Sequence, residues 1–421
     1  MNEELAAAIS RDAAVPKVYR HGMHRVCPPD QTIARLREVL PVFGITRIAN
    51  VTGLDRIGVP VAVAYRPNSR SLAVSQGKGL DLAAAKASAL MESIESWHAE
   101  RITRPVKLAS YAELSYSHRL ADVDALPRLE ASPFHQDLPL LWIEAWDLAQ
   151  AEPVWTPFEL VHTNYTLPLA TGSGCFMCSS NGLASGNHLL EAISHGICEV
   201  VERDASTLWY LLPAAQQAAM RIDLTSVDDD ACVQVLERYA RADIEVAAWE
   251  TTSDVGIPSF MCMIADRDEA LWHRVQVSSG MGCHVVREVA LLRALTEAAQ
   301  SRLTVIVGTR DDIVRADYLR TRSPDVMLRG RAMFQVAGPL RAFRDGPTFA
   351  GDTLNDDVAW IIERLRRAGL QRVLVVDLTR REFGIPVVRV IIPGLEGPAV
   401  LTTFTRCAPG GRARASLEQF A

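Results

Sequence analysis

Apolar residues recur at helical spacing in three long stretches of the chain, and each stretch sets acidic residues on another face. Over residues 82–101, Leu90, Ile94 and Trp97 form an apolar stripe, while Ser88, Glu92 and Glu95 share a face at i, i+4 and i+7. Over 187–211, Glu191, His195, Glu199 and Glu202 fall at i, i+4, i+8 and i+11, flanked by Ile193, Ile197, Val200 and Val201. Over 286–307, Glu297 and Gln300 share a face, with Arg302 displaced from them. A shorter helix is predicted over 30–44, opened by Pro28-Pro29-Asp30 and striped by Ile33, Leu36 and Leu40. Another, over 356–368, precedes a strand over 372–378.

Strands are predicted over 46–51 and 59–65, joined by a polar turn through Asp55 and Gly58. A Gly-x-Pro signature precedes an apolar run here and twice more, at Gly256-Ile257-Pro258 and Gly384-Ile385-Pro386. Proline suits the first residue of a strand, where its missing N–H costs least. Three such hairpins near long helices predict a pseudo-repeated α/β fold. Residues 120–140 and 310–350 read as loops or peripheral helices, and the tail from Arg406 as irregular.

Composition narrows the class. With 421 residues and 48% hydrophobic content, the chain is long enough to bury a large core. A formal net charge of −6 without a basic block gives no footprint for nucleic acid or an anionic membrane. No apolar run reaches membrane-spanning length, and the first residues do not form a secretory signal. Eight scattered cysteines point to reduced thiols in a cytoplasm.

The candidate chemistry lies in the repetition. Glycine-rich turns are expected at Ser75-Gln76-Gly77-Lys78-Gly79, at Ser180–Gly186 and at Ser279-Gly280-Met281-Gly282. Glu92 lies thirteen positions after Gly79, and Glu199 thirteen positions after Gly186. A lone Glu-x-x-Glu is usually a solvated helix face, but a duplicate with apolar flanks is costly unless it binds something. Four converging glutamates are hard oxygen ligands suited to Mg²⁺ carrying a nucleoside triphosphate. Gly77-Lys78-Gly79 lacks the spacing of a Walker loop. His195 reads equally as a metal ligand or a structural histidine. Cys175-Phe176-Met177-Cys178 has metal-ligand spacing but no second pair to complete a zinc site.

Together these segments resemble the YcaO family of ATP-dependent enzymes that activate peptide backbone amides. The likeness is carried by Ser88-x-x-x-Glu92-x-x-Glu95, Asn181-Gly-Leu-Ala-x-Gly-Asn187-x-x-x-Glu191, Glu199-x-x-Glu202-Arg203-Asp204, Glu297-x-x-Gln300-Ser-Arg302 and Phe383-Gly-Ile-Pro-Val-x-x-Val-Ile-x-Pro-Gly-Leu395. It implies an α/β fold of pseudo-repeated sheet-and-helix units around a central ATP site. Residues 1–70 would contribute a helix and strand pair, and 71–421 the interwoven catalytic body. By resemblance, Glu92, Glu95, Glu199 and Glu202 hold Mg²⁺, and Ser88, Asn187, Glu191, Arg203 and Gln300 contact ATP. Arg25 and Thr32 match the seven-residue spacing of an N-terminal Lys and Ser that touch ATP in some members, though both residue types differ. Glu202 and Arg203 are the implied catalytic groups.

The resemblance also bears on the product. Azoline-forming members often end in a Pro-x-Pro-x-Pro tail, and this sequence ends Ser416-Leu417-Glu418-Gln419-Phe420-Ala421. The segments 44–60 and 308–312 look like members paired with a TfuA-type protein, which implies thioamide formation. Azoline cyclodehydration is the alternative, followed by macroamidine formation and by a non-catalytic nucleotide-binding accessory role. A peptide or protein substrate, a sulfur-delivering TfuA-like partner and a separate leader-binding protein are the implied partners, and a homodimer is compatible with them.

Overall fold

The computed structural model describes residues 14–267, 277–321, 323–335, 338–398 and 406–420. Its plan is one α-β-β-β-α unit built three times. The first unit runs through helix Pro29–Leu36, β1 (Arg47–Asn50), β2 (Val61–Tyr65), β3 (Val74–Lys78) and helix Leu82–Glu100. Its strands pair antiparallel in the order β1-β2-β3, so residues on both sides of position 70 share one sheet. After it come β4 (Val106–Ala109), β5 (Leu140–Asp147), β6 (Glu152–Pro157), β7 (Leu183–Ser185) and helix Leu189–Leu211.

Beyond the short β8 (Ile222–Asp223), the second unit is contiguous: helix Asp230–Arg241, β9 (Ile244–Glu250), β10 (Ser259–Asp266), β11 (Ser278–Cys283) and helix Arg287–Val307. Two peripheral helices, Arg315–Thr321 and Pro324–Gln335, and β12 (Arg341–Ala342), which pairs with β8, lead to the third. There helix Leu354–Arg367, β13 (Leu374–Asp377) and β14 (Val387–Ile391) supply the first half. The second half is β7 and helix 189–211, from much earlier in the chain, since β14 pairs antiparallel with β7. The third sheet continues through β13 to β5, giving six strands in all. In every unit the first helix packs against the last.

The Gly-x-Pro signatures have one geometry. Gly58, Gly256 and Gly384 take φ of +75°, +71° and +61°, a region that disfavours any Cβ, and β2, β10 and β14 begin at the residue after the proline.

Two of the three glycine-rich segments are strands, and the third makes a turn at Asn181-Gly182 and then enters a strand. Residues 74–78 and 278–283 are strands, and 183–185 is a strand entered through Gly182. In β3 and β11 the glycines serve close packing instead. A Cβ on Gly77 would collide with the backbone of Ala85 and Ala89, and one on Gly280 with the backbone of Ala294 and Ala298. The strand therefore lies backbone-to-backbone on its helix. Composition alone reads such glycines as a turn, because the helix that covers them is not visible in local sequence. The tail is a second correction: Gly411–Phe420 is a helix, whose first turn is held by Glu396 accepting from the N–H groups of Gly410 and Ala413 at 2.8 and 2.9 Å. No helix among the described residues is long and apolar enough to cross a membrane.

Candidate active site

The three long helices deliver equivalent positions to one cleft. Glu92, Glu199 and Glu297 each stand ten positions after the first residue of their helix, at 82, 189 and 287. Three positions further on come Glu95, Glu202 and Gln300. Four positions before the first glutamates come Ser88, His195 and Arg293, and all three line a cavity of roughly 200 Å³. Ala84, Glu191 and Val289, one turn earlier, line it too. The helices are seated by local chemistry: Asp81 caps the first by accepting from Ala84 N–H at 2.7 Å, and His188 caps the second by accepting from Leu190 N–H at 3.2 Å.

The acidic end is under electrostatic pressure. Burial raises the pKa of Glu95 to about 8, against two hydrogen bonds from Ser185 N–H and Oγ–H at 2.8 and 2.7 Å; Glu92 and Glu199 add repulsion. Glu199 is pushed up to about 7 by burial and by Glu202, with Arg203 opposing. Glu92 is also raised to about 7, first by burial, but its side chain keeps contact with the water of the cleft, which screens it. Glu202 is raised by burial and by repulsion from Glu297, and its Oε2 is buried without a hydrogen-bond partner. Arg203 approaches Glu202 at 3.9 Å; burial works against its charge, but Glu202, Glu199 and Glu297 more than offset that.

The other end of the cleft is a connected polar network. Glu191 accepts from Arg25 at 3.2 Å, from Val26 N–H at 3.0 Å and from Asn187 N–H at 3.2 Å. Thr32 Oγ donates to the Asn187 side-chain oxygen at 3.1 Å. The structure thus gathers Arg25, Thr32, Asn187 and Glu191, and Ser88 lines the same cavity. The Gln300 amide donates to the carbonyl of Gln76 in β3 at 3.1 Å, and Gln300, like Glu199, Glu202, Arg203 and Glu297, stands outside the lining of that cavity. Arg302 is buried and structural, bonded to Asp55 and Asp266 at 2.8 Å each.

Lys78 and Arg293 are two further functional candidates in the cleft. Lys78 lines the cavity and pairs with Glu297 at 2.6 Å, so that, although burial raises the Glu297 pKa, Lys78 and Arg203 bring it below the ordinary range. Arg293 lines the cavity as well, and its Nε is buried without a partner. The i, i+4 spacing of Arg293 and Glu297 was the available signal. His195 and His284 are held well below their ordinary pKa by burial and neighbouring cations, so both are neutral. Cys175 is fully buried, and Cys178 donates to the carbonyl of His162 at 3.2 Å; burial raises both thiols, to about 11 and about 12.

This donor set suits a divalent cation and a polyphosphate together. The orphaned Glu202 oxygen and the raised glutamates gain from a cation, and the orphaned Arg293 N–H gains from an anion. Among the described residues no three carboxylate, imidazole or thiol groups stand close enough together to hold a metal ion by themselves. An open acidic surface of this kind suits Mg²⁺, which keeps waters and phosphate oxygens in its shell.

Known proteins are similar to this chain in sequence and in fold. Residues 76–396 match the family described as YcaO cyclodehydratase, ATP- and Mg²⁺-binding. An uncharacterized protein in the tfuA 3′ region of Rhizobium leguminosarum bv. trifolii is 36% identical over 400 residues, 94% of this chain and 93% of that protein. An uncharacterized protein of Methanothermobacter thermautotrophicus is 38% identical over 380 residues, 87% of this chain and 94% of that protein. Among solved structures, a heterocyclase in complex with substrate and cofactor superposes with a TM-score of 0.74 at 25% identity, over 91% of this chain and 54% of that one. The YcaO protein of Methanopyrus kandleri, bound with AMPPCP and Mg²⁺, has the same fold, with a TM-score of 0.72 at 24% identity over 90% of this chain and 94% of that one. The α/β fold, the paired glutamates and the match over most of the length lead to one conclusion: this chain belongs to the YcaO family.

Proposed function

We propose that the chain uses Mg·ATP to phosphorylate the oxygen of a peptide backbone amide, and that sulfide then replaces that oxygen. The observation that carries the first part is the facing of Glu92 and Glu95 with Glu199 and Glu202 beside a cavity lined by Arg25, Asn187, Glu191 and Arg293. Glu92, Glu95, Glu199 and Glu202 would hold Mg²⁺, which neutralises phosphate charge when bound. Arg25, Thr32, Ser88, Asn187 and Glu191 would orient the nucleotide, and Arg203 would face the transferred phosphoryl group.

The bonds balance without an oxidant. The amide oxygen attacks the γ-phosphorus, ADP leaves, and the amide nitrogen gives up its proton as the C=N bond of a phosphorylated imidate forms. Hydrosulfide adds at the carbon, and its S–H proton is the one that passes to the nitrogen. The C–O bond breaks, inorganic phosphate departs, and the nitrogen regains a proton, leaving C=S in place of C=O. The protein contributes positioning and charge, since an amide oxygen is a weak nucleophile and a poor leaving group until phosphorylated.

Sulfide as the nucleophile is supported by the relative from a tfuA 3′ region, which matches along nearly the whole chain. On this reading a TfuA-like protein delivers sulfur and a peptide or protein is the substrate. Azoline formation is the second reading, favoured by the superposition on a heterocyclase. Mass spectrometry of product from chain, partner, peptide, ATP and sulfide separates them: oxygen-to-sulfur exchange adds about 16 Da, and azoline formation removes about 18 Da. Binding of ATP without turnover in every such mixture would instead support an accessory role.

A further inference from the structure

Each of the three long helices is fixed from behind at the same position, five residues after its first glutamate. In the first this is Trp97, packed edge-on against Phe43 and Phe383 at 5.0 and 5.6 Å between ring centres. In the second unit it is Arg302, held by Asp55 and Asp266. In helix 189–211 it is Asp204, which directly follows Arg203 and is wholly buried. Its anchor comes from outside its own unit. Arg412, in the first turn of helix 411–420, donates to both Asp204 oxygens, from Nε at 3.0 Å and from Nη2 at 3.2 Å.

The same carboxylate accepts from Glu396 N–H at 2.9 Å, and Glu396 in turn holds the N–H groups of Gly410 and Ala413. Arg412 and Asp204 therefore close a loop of bonds joining helix 189–211, the segment after β14 and helix 411–420. On its outer side Arg412 also pairs with Asp254, which is largely exposed. Such an exposed contact adds little, whereas a two-point guanidinium–carboxylate bond to a buried group fixes orientation.

We propose that Arg412 is a positioning residue for the turn Glu199–Asp204. It does not line the cavity of the candidate site. It sets the rotation of the helix that points Glu199, Glu202 and Arg203 into the cleft. Reacting groups tolerate little misplacement: a shift of about 1 Å can cost about a hundredfold in rate. The kinetic half of the claim rests on the ATP-dependent reaction proposed above, and the structural half does not.

The test uses Arg412→Ala, Arg412→Lys and Asp254→Asn in the full chain. Three quantities are measured: steady-state ATP hydrolysis with Mg²⁺, affinity for AMPPCP with Mg²⁺, and amide hydrogen exchange across 199–207. Arg412→Ala is expected to lower kcat about tenfold, leave AMPPCP affinity within about threefold, and speed exchange at 199–207. Arg412→Lys, keeping one charged donor, should recover part of kcat, and Asp254→Asn should match the parent. A folded Arg412→Ala chain with unchanged exchange at 199–207 overturns the proposal, as does exchange accelerated equally throughout the molecule, which marks simple destabilisation. If the parent chain hydrolyses no ATP, the proposed reaction fails, and the exchange comparison still decides the role of Arg412.

Discussion

Helices 189–211 and 287–307 occupy equivalent places around the cleft, yet their chemistry differs in sign. The first brings Glu199 and Glu202, both with raised pKa, one with an orphaned oxygen. The second brings Glu297, already paired with Lys78, then Gln300, turned to the backbone of β3, and Arg293 with an orphaned N–H. Helix 82–100 sides with the first through Glu92 and Glu95. The lesson is that one repeated scaffold fixes where side chains point, and substitution at matched positions divides the cleft into a cation-seeking wall and an anion-seeking wall. A metal-bound polyphosphate is the ligand that meets both.

The sharpest way to break this contrast is to neutralise the acidic wall. Glu95→Gln or Glu202→Gln is expected to lower ATP turnover about a hundredfold or more, with Tm near the parent value, since volume is kept and a charged ligand is lost. Steady-state kinetics with circular dichroism check this, and full activity in both variants removes the metal assignment. Next in size is the packing that creates the matched positions. Gly77→Ala and Gly280→Ala should each destabilise by about 3 kcal/mol or fail to fold, because the added methyl meets helix backbone that has nowhere to move. Urea unfolding measures it, and unchanged stability in either variant contradicts the close strand–helix contact.

A third, smaller effect is in pH. Glu95 and Glu199, which are partly shielded from solvent where Glu92 is not, have folded-state pKa values of about 8 and about 7, above their ordinary 4.5. Over that interval the folded chain binds more protons than the unfolded chain, so stability falls as pH rises. Without metal, Tm should drop between pH 5.5 and pH 8.5, roughly the window those pKa values span, and Mg²⁺ with AMPPCP should flatten the slope. A slope of the same sign and size with both present would separate the carboxylates from metal binding. The smallest expected effect is at Gln300. Gln300→Ala should cost about 1 kcal/mol through the lost bond to Gln76 and change ATP affinity less than about threefold by calorimetry. A large loss of affinity would return Gln300 to the nucleotide.

Much of this contrast was legible in the sequence. The 3.6-residue periodicity located all three long helices, and the duplicated glutamates stood out because carboxylates among apolar flanks demand a ligand. Arg25, Thr32, Asn187 and Glu191 were named from resemblance, and the structure bonds them to one another. What stayed hidden depends on distant parts of the chain. β3 and β11 read as turns in the sequence because Gly77 and Gly280 answer to helices packed over them. The third unit could not be read in order, since β7 and its helix precede β13 and β14 by well over a hundred residues. Helix 411–420 was missed because Pro409, Gly410 and Gly411 read as breakers, while its first turn is held by Glu396. Lys78 was set aside for failing a Walker pattern, and its role arises only when Glu297 arrives from another unit.

If the amide oxygen itself takes the phosphoryl group, an isotope placed on that oxygen must follow it. Peptide substrate labelled with oxygen-18 at the modified carbonyl is converted in the reconstituted mixture with Mg·ATP, and the released phosphate is analysed by mass spectrometry. The label is expected to leave with the phosphate, one labelled oxygen for each amide converted, whichever nucleophile completes the reaction. Label found in water, with unlabelled phosphate formed by hydrolysis, would contradict it.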